Sequence, residues 1–255
     1  MFSNKRSPKE SPFCGQPQLI VHGAYHKMGT VWLMRVLERV AEHFGLTLQK
    51  SNSRSDQLDL QTDILFLNHS HLPLDTLGQF VGSHMIRDPR DVIVSGYFYH
   101  LWTEESWVHA PDARYNGQSY QQYLQSLDQH AGLLAEIERY AKYISDWCML
   151  DWNYSDERFF EFRYEALVAD ESAVFQQLFS HYGFHDQAIS VCLELAATQS
   201  FERVTKRKAG KVRPNSHLRS GKPGQWREVL AEDHLSTIER SMKPLLVHLG
   251  YWDGD

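Results

Sequence analysis

Apolar residues follow two different spacings along the chain, and these spacings predict the order of its elements. Short apolar runs at 18–22, 63–68 and 83–87 predict buried strands, and the alternating polarity of residues 158–164 predicts a further strand. Helical spacing predicts helices over residues 30–45, 91–102, 118–150, 171–184, 187–198 and 232–251. Because strands alternate with helices, we expect an α/β domain with a central, mostly parallel sheet flanked by helices.

The length of 255 residues suits one large domain, which we place at residues 18–255. Residues 1–17 are polar and contain prolines, so they predict a flexible N-terminal arm and not a signal peptide. No stretch approaches the roughly 18–20 apolar residues of a membrane helix, and we predict no membrane partner. Three widely spaced cysteines form neither a metal-ligand pattern nor a disulfide framework, which is typical of a cytoplasmic protein.

Charge is distributed unevenly over the chain. The net charge of −6 argues against nucleic-acid binding by the protein as a whole. Between Arg203 and Lys222, however, eight Lys or Arg residues occur without an Asp or Glu. Such a run is either a solvated surface loop or a local anion site on an otherwise acidic protein.

The segment between the first strand and the first helix has the composition of a P-loop-like phosphate-binding turn. Gly23 and Gly29 let the backbone approach an anion, and a helix start offers unpaired N–H groups with partial positive charge. Lys27 adds a cation and Thr30 a hydroxyl; the alternative is an ordinary tight turn with a surface lysine. A Walker A loop needs its lysine after the second glycine, so a metal-dependent kinase is disfavoured and no metal ligands are predicted.

Residues 25–32, YHKMGTVW, resemble the cofactor loop Y-P-K-S-G-T-[TS]-W of the sulfotransferases that use 3′-phosphoadenosine 5′-phosphosulfate (PAPS). The chain keeps Tyr25, Lys27, Gly29, Thr30 and Trp32, and it departs at His26, Met28 and Val31. The resemblance implies that Lys27 binds the bridging oxygen and the 5′-phosphate, and that Trp32 stacks on adenine. It also places Met28, Gly29, Thr30 and Val31 around the same phosphate.

Residues 86–95, IRDPRDVIVS, carry a second candidate phosphate site. Arg87 ends a predicted strand and Ser95 lies two turns into the next helix, where a guanidinium and a hydroxyl can bind a phosphate. The segment resembles R-[DN]-P-R-D-x-x-x-S, which binds the 3′-phosphate in the sulfotransferases, and every named position is present. The alternative is a structural ion pair between Arg87 and Asp91.

A third piece lies in the basic run, where residues 218–226, LRSGKPGQW, resemble the family segment F-R-K-G-x-x-G-x-W. The resemblance gives Arg219, Ser220 and Gly221 phosphate contacts, with Ser220 in place of a lysine, and implies that the segment closes over the nucleotide. Weaker resemblances place Tyr164 near the adenine edge and Ser200 and Phe201 beside the base. These three could equally be core packing.

The candidate general base follows the strand at 63–68. Residues 68–73, NHSHLP, resemble the family's K-T-H-L-P, whose histidine removes the acceptor's proton. His71 takes that position, and histidine suits this role because its reference pKa is about 6.5. His69 stands where the family has lysine, so it either contacts the sulfuryl group or merely lines the site. The alternative for His71 is a turn histidine bonded to the backbone.

Together, these resemblances imply a sulfotransferase that uses no metal. It would move a sulfuryl group from PAPS to a hydroxyl of a small molecule (a phenol, alcohol, glycan or natural product) and release adenosine 3′,5′-bisphosphate (PAP). Two alternatives stay open: a non-catalytic module that binds adenosine bisphosphate and, less favoured, a P-loop kinase. The family's dimerisation segment K-x-x-x-T-V-x-x-x-E is absent, which leaves the oligomeric state open.

The acceptor pocket is expected among aromatic residues of 97–152, where the family resemblance is weakest. The candidates are Tyr97, Tyr99, Trp102, Trp107, Tyr115, Tyr120, Tyr123 and Trp147. At helical spacing, such residues also commonly form core.

Overall fold

A computed structural model describes residues 10–52, 56–70, 74, 77–147 and 149–252. The chain forms two compact units, each assembled from two segments. The sheet unit contains the chain up to Ile86 together with Tyr154–Lys206, and the helical unit contains Arg87–Asn153 together with the chain from Arg207. The predicted domain boundary at residue 18 stays a prediction.

Five parallel strands form the sheet of the sheet unit, in the order β2-β3-β1-β4-β5. They are β1 (Leu19–Ala24), β2 (Leu48–Ser51), β3 (Ile64–Leu67), β4 (Phe80–Ile86) and β5 (Phe159–Arg163). The three central strands are almost wholly buried, as expected for a parallel sheet whose two faces are both covered. This sheet confirms the predicted α/β class and four predicted strands, whereas β2 is absent from the prediction.

The described residues also form helices in both units. They are α1 (Thr30–Phe44), α2 (Pro89–His100), α3 (Ser106–His109), α4 (Tyr120–Ser126), α5 (Gln129–Asp146), α6 (Tyr164–Ala169), α7 (Glu171–His181), α8 (Asp186–Thr198), α9 (Phe201–Thr205), α10 (Trp226–Val229) and α11 (Glu232–His248). Helices α1 and α6–α9 belong to the sheet unit and the others to the helical unit. Within the described ranges, no helix has both the length and the apolar composition needed to cross a membrane.

Helix α1 begins and ends as its sequence predicts. Its apolar positions at helical spacing, Leu33, Val36, Leu37 and Val40 among them, are buried in the core of the sheet unit. Gly45 ends the helix in the left-handed conformation, at a φ of 74°, and its N–H donates to the carbonyl of Ala41. The packing of α1 in the core therefore fixes the position of its N-terminal end, which follows the turn after β1.

In the helical unit, α2 packs closely against α5 through two glycines. A Cβ atom at Gly96 of α2 would lie 2.4 Å from Oε1 of Glu136, and one at Gly132 of α5 would lie 2.6 Å from the ring of Tyr97. Asp88 caps the start of α2 by accepting a hydrogen bond from the N–H of Arg90. This close approach positions α2, which carries the second predicted phosphate motif.

Residues at the start of the described chain also pack in the sheet unit. Phe13 is buried, and its ring meets Phe184 edge-on at 5.0 Å between centroids. The N–H of Cys14 donates to the carbonyl of Gly183, and the N–H of His185 donates to that of Pro12. These contacts tie the segment before β1 to the turn between α7 and α8.

Candidate functional site

The turn between β1 and α1 combines a helix start with a glycine cap. Gly29 precedes α1 with a φ of 92°, and no side chain caps the helix. The N–H groups of Trp32 and Leu33 donate to the carbonyl of Gly29. The first N–H groups of any α-helix lack partners inside the helix, so Thr30 and Val31 present theirs at a positive helix end. This end of α1 can therefore hold an anion.

Lys27 lies in this turn between the buried residues Tyr25 and Met28. Tyr25 and Met28 are almost fully buried, and the N–H of Met28 donates to the carbonyl of Tyr25 at 3.2 Å. Lys27 itself is half-buried, with a φ of 64°. A Cβ atom at Gly29 would lie 2.9 Å from Cε of Met85, so both the backbone angle and the packing require glycine there. The turn thus has a defined shape that places one cation beside the start of α1.

The segment that follows β3 reaches the end of β1. Gly23 on β1 pairs with Leu67 on β3 and with His84 on β4. A Cβ atom at Gly23 would lie 2.9 Å from Oγ of Ser70, so glycine permits this approach. His69 is half-buried in this segment. His71 lies outside the described residues, so its predicted role as general base stays a prediction, as does the role of His69.

Two buried hydrogen-bond chains cross the central strands, and sequence reasoning missed both. In the first, His84 links Oγ of Ser70 at 3.0 Å to Oε2 of Glu161 at 2.9 Å. In the second, Oγ of Ser83 lies 2.7 Å from Nδ1 of His22 and 2.6 Å from the hydroxyl of Tyr182. Burial, with the nearby His84, holds the pKa of His22 well below its usual value. The only sequence signal is the presence of polar residues within apolar strands.

Two of the predicted adenine contacts come together in the sheet unit. The ring of Trp32 meets Tyr164 edge-on at 6.4 Å between centroids, and Tyr164 is buried at the start of α6. Ser200 and Phe201 lie at the start of α9, where both are half-buried. Contact of these residues with a base stays a prediction.

In the helical unit, Asp91 joins the second predicted motif to the third. Its carboxylate is buried and accepts hydrogen bonds from the N–H groups of Gly224, at 2.6 Å, and Trp226, at 3.0 Å. Nη2 of the buried Arg87 lies 3.8 Å from Oδ2 of Asp91. The ion pair that was the alternative reading of Arg87 is therefore present, but Asp91 also holds a distant backbone segment.

A second cation lies near this carboxylate. The guanidinium of Arg219 stacks over the ring of Phe98 at 4.2 Å and binds the side-chain oxygen of Gln225. Burial and the charge of Arg87 lower the pKa of Arg219, and the charge of Asp91 opposes this shift. We call Arg87, Asp91, Arg219, Gly224 and Trp226 the Asp91 cluster. Its two guanidinium groups and one carboxylate carry a net positive charge, which favours an anion.

The remaining predicted phosphate contacts of the helical unit are close in sequence to members of this cluster. Ser95 follows Asp91 by one turn on the same face of α2 and is half-buried. Ser220 is buried, and its carbonyl accepts from the N–H of Gly210. Gly221 has a φ of 68°, which favours glycine. Direct phosphate contact by these three residues stays a prediction.

Arg207, one of the eight Lys or Arg residues of the basic run, stabilises the loop to which it belongs. Its guanidinium donates to the carbonyls of Lys211, Leu218 and Arg219, at 2.5, 2.6 and 3.1 Å. These bonds close the loop from residue 207 to residue 219 on itself. The basic run is therefore partly a structural element and not only a source of charge for a ligand.

The aromatic residues predicted to line an acceptor pocket divide into two groups. Tyr97, Tyr99 and Tyr120 are buried, and the hydroxyl of Tyr120 donates to Glu136 at 2.6 Å. Their burial agrees with the alternative of core packing, and their contact with an acceptor stays a prediction. The others are half-buried or exposed: Trp102, Trp107, Tyr115, Tyr123 and Trp147.

Comparisons with known proteins agree with this architecture. Residues 16–250 match the family of the sulfotransferase domain, whereas no curated protein sequence matches the chain. The structure of mouse sulfotransferase SULT7A1 complexed with PAP is similar, with 16% identity and a TM-score of 0.58 over 94% of this chain and 90% of that chain. Retinol dehydratase in complex with androsterone and inactive cofactor PAP has 13% identity and a TM-score of 0.53 over 89% and 80%. Its complex with retinol and PAP has 14% identity and a TM-score of 0.52 over 92% and 82%.

Proposed function

Because the chain belongs to the sulfotransferase family, we propose that it transfers a sulfuryl group from PAPS to a hydroxyl of a small molecule and releases PAP. The predicted family and enzyme class are confirmed by the match over residues 16–250. The observation that carries the finer proposal is the turn before α1, where Lys27 lies beside an uncapped helix start. Support for PAPS also comes from the similar structures, whose bound nucleotide is PAP.

The residues of the turn fit the 5′ end of this donor. Gly23 and Gly29 allow the side chains of Ser70 and Met85 to pack against the turn, and the start of α1 offers N–H groups to a phosphate. PAPS supplies a sulfuryl group attached to a phosphate that can leave. Lys27 would offset the negative charge that develops on the leaving phosphate oxygen.

The Asp91 cluster fits the 3′-phosphate. Its two guanidinium groups and one carboxylate give it a net positive charge. Ser95 adds a hydroxyl on the same face of α2 as Asp91. A second anion site would allow the protein to bind an adenosine bisphosphate more tightly than a monophosphate. Arg87, Arg219 and Ser220 are the residues that we assign to this phosphate, with Gly221 allowing the backbone turn beside it.

For proton transfer, we assign His71 as the general base on the family resemblance. A neutral imidazole would accept the proton of the acceptor hydroxyl as its oxygen attacks sulfur. His69 is two residues before His71 in the sequence, and we assign it an interaction with the sulfuryl oxygens. A small hydroxyl-bearing acceptor is supported by retinol dehydratase, whose structures hold androsterone or retinol.

The proposal is tested first by ligand-induced stabilisation. PAP should raise the Tm without Mg²⁺, whereas ATP with Mg²⁺ should leave the Tm unchanged, because ATP lacks a 3′-phosphate and the turn lacks the lysine position of a Walker A loop. Stabilisation by ATP with Mg²⁺ alone would favour the kinase instead.

Transfer itself requires a separate measurement. The enzyme with ³⁵S-labelled PAPS and a mixed library of phenols, alcohols and glycans should yield a labelled product. A chain that binds PAP tightly but labels no member of the library, and releases no PAP in its presence, would be a non-catalytic binding module.

A further inference from the structure

Asp91 uses both of its carboxylate oxygens on groups from a distant part of the chain. Oδ2 accepts from the N–H of Gly224 at 2.6 Å, and Oδ1 accepts from the N–H of Trp226 at 3.0 Å. The side chain of Asp91 is fully buried, so neither bond competes with water. Charge-assisted bonds of this kind are shorter and stronger than neutral ones. The carboxylate is thus the anchor of the glycine turn that precedes α10.

This anchor reaches Arg219 through one intermediate residue. Gln225 lies between the two anchored amides, and its side-chain oxygen accepts a hydrogen bond from the guanidinium of Arg219. Its side-chain NH₂ donates to the carbonyl of Lys222 at 2.8 Å, which fixes the orientation of the amide. Displacing the backbone at Gly224 and Trp226 would displace Gln225, and Arg219 would lose its hydrogen-bonding partner.

Asp91 also acts on Arg87 through charge. Nη2 of Arg87 lies 3.8 Å from Oδ2, the same oxygen that accepts from Gly224. Arg87 and Arg219 repel each other, and one carboxylate between their segments offsets that repulsion. Without it, the repulsion between the buried Arg87 and the half-buried Arg219 would increase.

We propose that Asp91 is a positioning residue that holds Arg87 and Arg219 ready for one phosphate group, and that it thereby sets the preference of the protein for a 3′-phosphorylated nucleotide. This proposal rests on the proposed function. In this role Asp91 does not touch the nucleotide, because its negative charge would repel a phosphate. Its effect on binding is exerted through the two arginines.

The test compares the affinities of two nucleotides by isothermal titration calorimetry. In Asp91→Asn, the Kd for PAP should rise about tenfold to a hundredfold, the scale of a lost charged hydrogen bond, whereas the Kd for adenosine 5′-monophosphate should change by less than about threefold. Asp91→Glu keeps the charge and both acceptor oxygens, so it should restore part of the preference.

Glu136→Gln is the matched control. It also removes a buried carboxylate that packs against α2, and it should lower the Tm without changing the ratio of the two Kd values. The proposal would be overturned if the Kd for PAP divided by the Kd for adenosine 5′-monophosphate were unchanged in Asp91→Asn, or if it rose equally in Glu136→Gln. Either result would describe a general loss of stability.

A measurement on the unmodified protein keeps the proposal testable if Asp91→Asn does not fold. Hydrogen exchange at the amides of Gly224 and Trp226 should slow on addition of PAP but not of adenosine 5′-monophosphate. Equal exchange with both nucleotides would refute the positioning role. If the unmodified protein binds PAP no more tightly than the monophosphate, the proposed function itself fails, and that result is distinct from the others.

Discussion

The turn after β1 and the Asp91 cluster offer positive charge to an anion in different ways. The turn is continuous in sequence, and its charge comes from one lysine and from the backbone at the start of α1. The Asp91 cluster draws Arg87 and Arg219 from distant segments and depends on a buried carboxylate between them. A continuous site can therefore be recognised from a short pattern, whereas an assembled site depends on contacts that no single segment reveals.

The largest effect is expected in the turn. Lys27→Ala should lower kcat by at least about a hundredfold, because a preorganised charge at the leaving group acts mainly in the transition state. The loss should appear in single-turnover transfer from labelled PAPS. Lys50→Ala is the control, because it removes an exposed lysine from β2 that pairs with Glu38, and it should leave kcat unchanged. A near-normal kcat in Lys27→Ala would show that Lys27 has no catalytic role in the turn.

A smaller and different effect is expected from the assembled site. Arg87→Ala should weaken PAP binding about thirtyfold, because a charge-assisted contact with phosphate is lost, and it should leave binding of adenosine 5′-monophosphate nearly unchanged. Calorimetry at two salt concentrations checks both values. The control is Arg114→Ala, which removes an exposed arginine of the same unit. Equal weakening for both nucleotides would mean that Arg87 does not recognise the 3′-phosphate.

The fold could be predicted from the sequence wherever burial produced a clear apolar pattern. β1, β3 and β4 are buried and apolar, and α1 shows its buried face at helical spacing. β2 escaped prediction because, among the described strands, it pairs only with β3 at the edge of the sheet, and its sequence LQKS has one buried position. An edge strand with so little apolar surface resembles a loop.

The site could be predicted less completely, for two physical reasons. The sequence predicts only a pairing with Arg87 for Asp91, because the backbone N–H groups from which Asp91 accepts hydrogen bonds leave no pattern in a sequence. The aromatic segment leaves its role open for another reason, since Tyr97 and Tyr120 are as aromatic in a core as in a pocket. Residue type indicates what a side chain can contact, but the packing of α2, α4 and α5 decides what it does contact.

The shape of the turn can be tested separately from its charge. Gly29→Ala should lower the free energy of unfolding by about 2 kcal/mol, because alanine is strained at a φ of 92° and its Cβ atom meets Met85 and Tyr164. Gly78→Ala is the control for strain alone, since Gly78 has a φ of 68° and, apart from its chain neighbours, no described residue has an atom within 4 Å of an added Cβ. It should lower the same free energy by only about 1 kcal/mol. Equal losses in urea denaturation would show that the packing around Gly29 is loose.

The smallest effect concerns a carboxylate without the partners that Asp91 and Glu136 have. Burial opposes ionisation of Glu136, but Arg139 and His100 outweigh it and hold its pKa at about 2. Glu171 begins α7, and its Oε1 is buried without a hydrogen-bond partner among the described residues. Burial accordingly raises the pKa of Glu171 to about 7.

The sign of the pH dependence follows from this raised pKa. Between about pH 4.5 and 7, the unfolded chain loses the proton of Glu171 before the folded protein does, so the free energy of unfolding falls as pH rises. Glu171→Gln should therefore raise it by about 1 kcal/mol at pH 8, after allowance for solvent screening, and change it little at pH 4. Glu232→Gln, at the exposed first position of α11, is the control and should show no such gain. A destabilised Glu171→Gln at pH 8 would mean that this carboxylate has a partner, as Asp91 and Glu136 do.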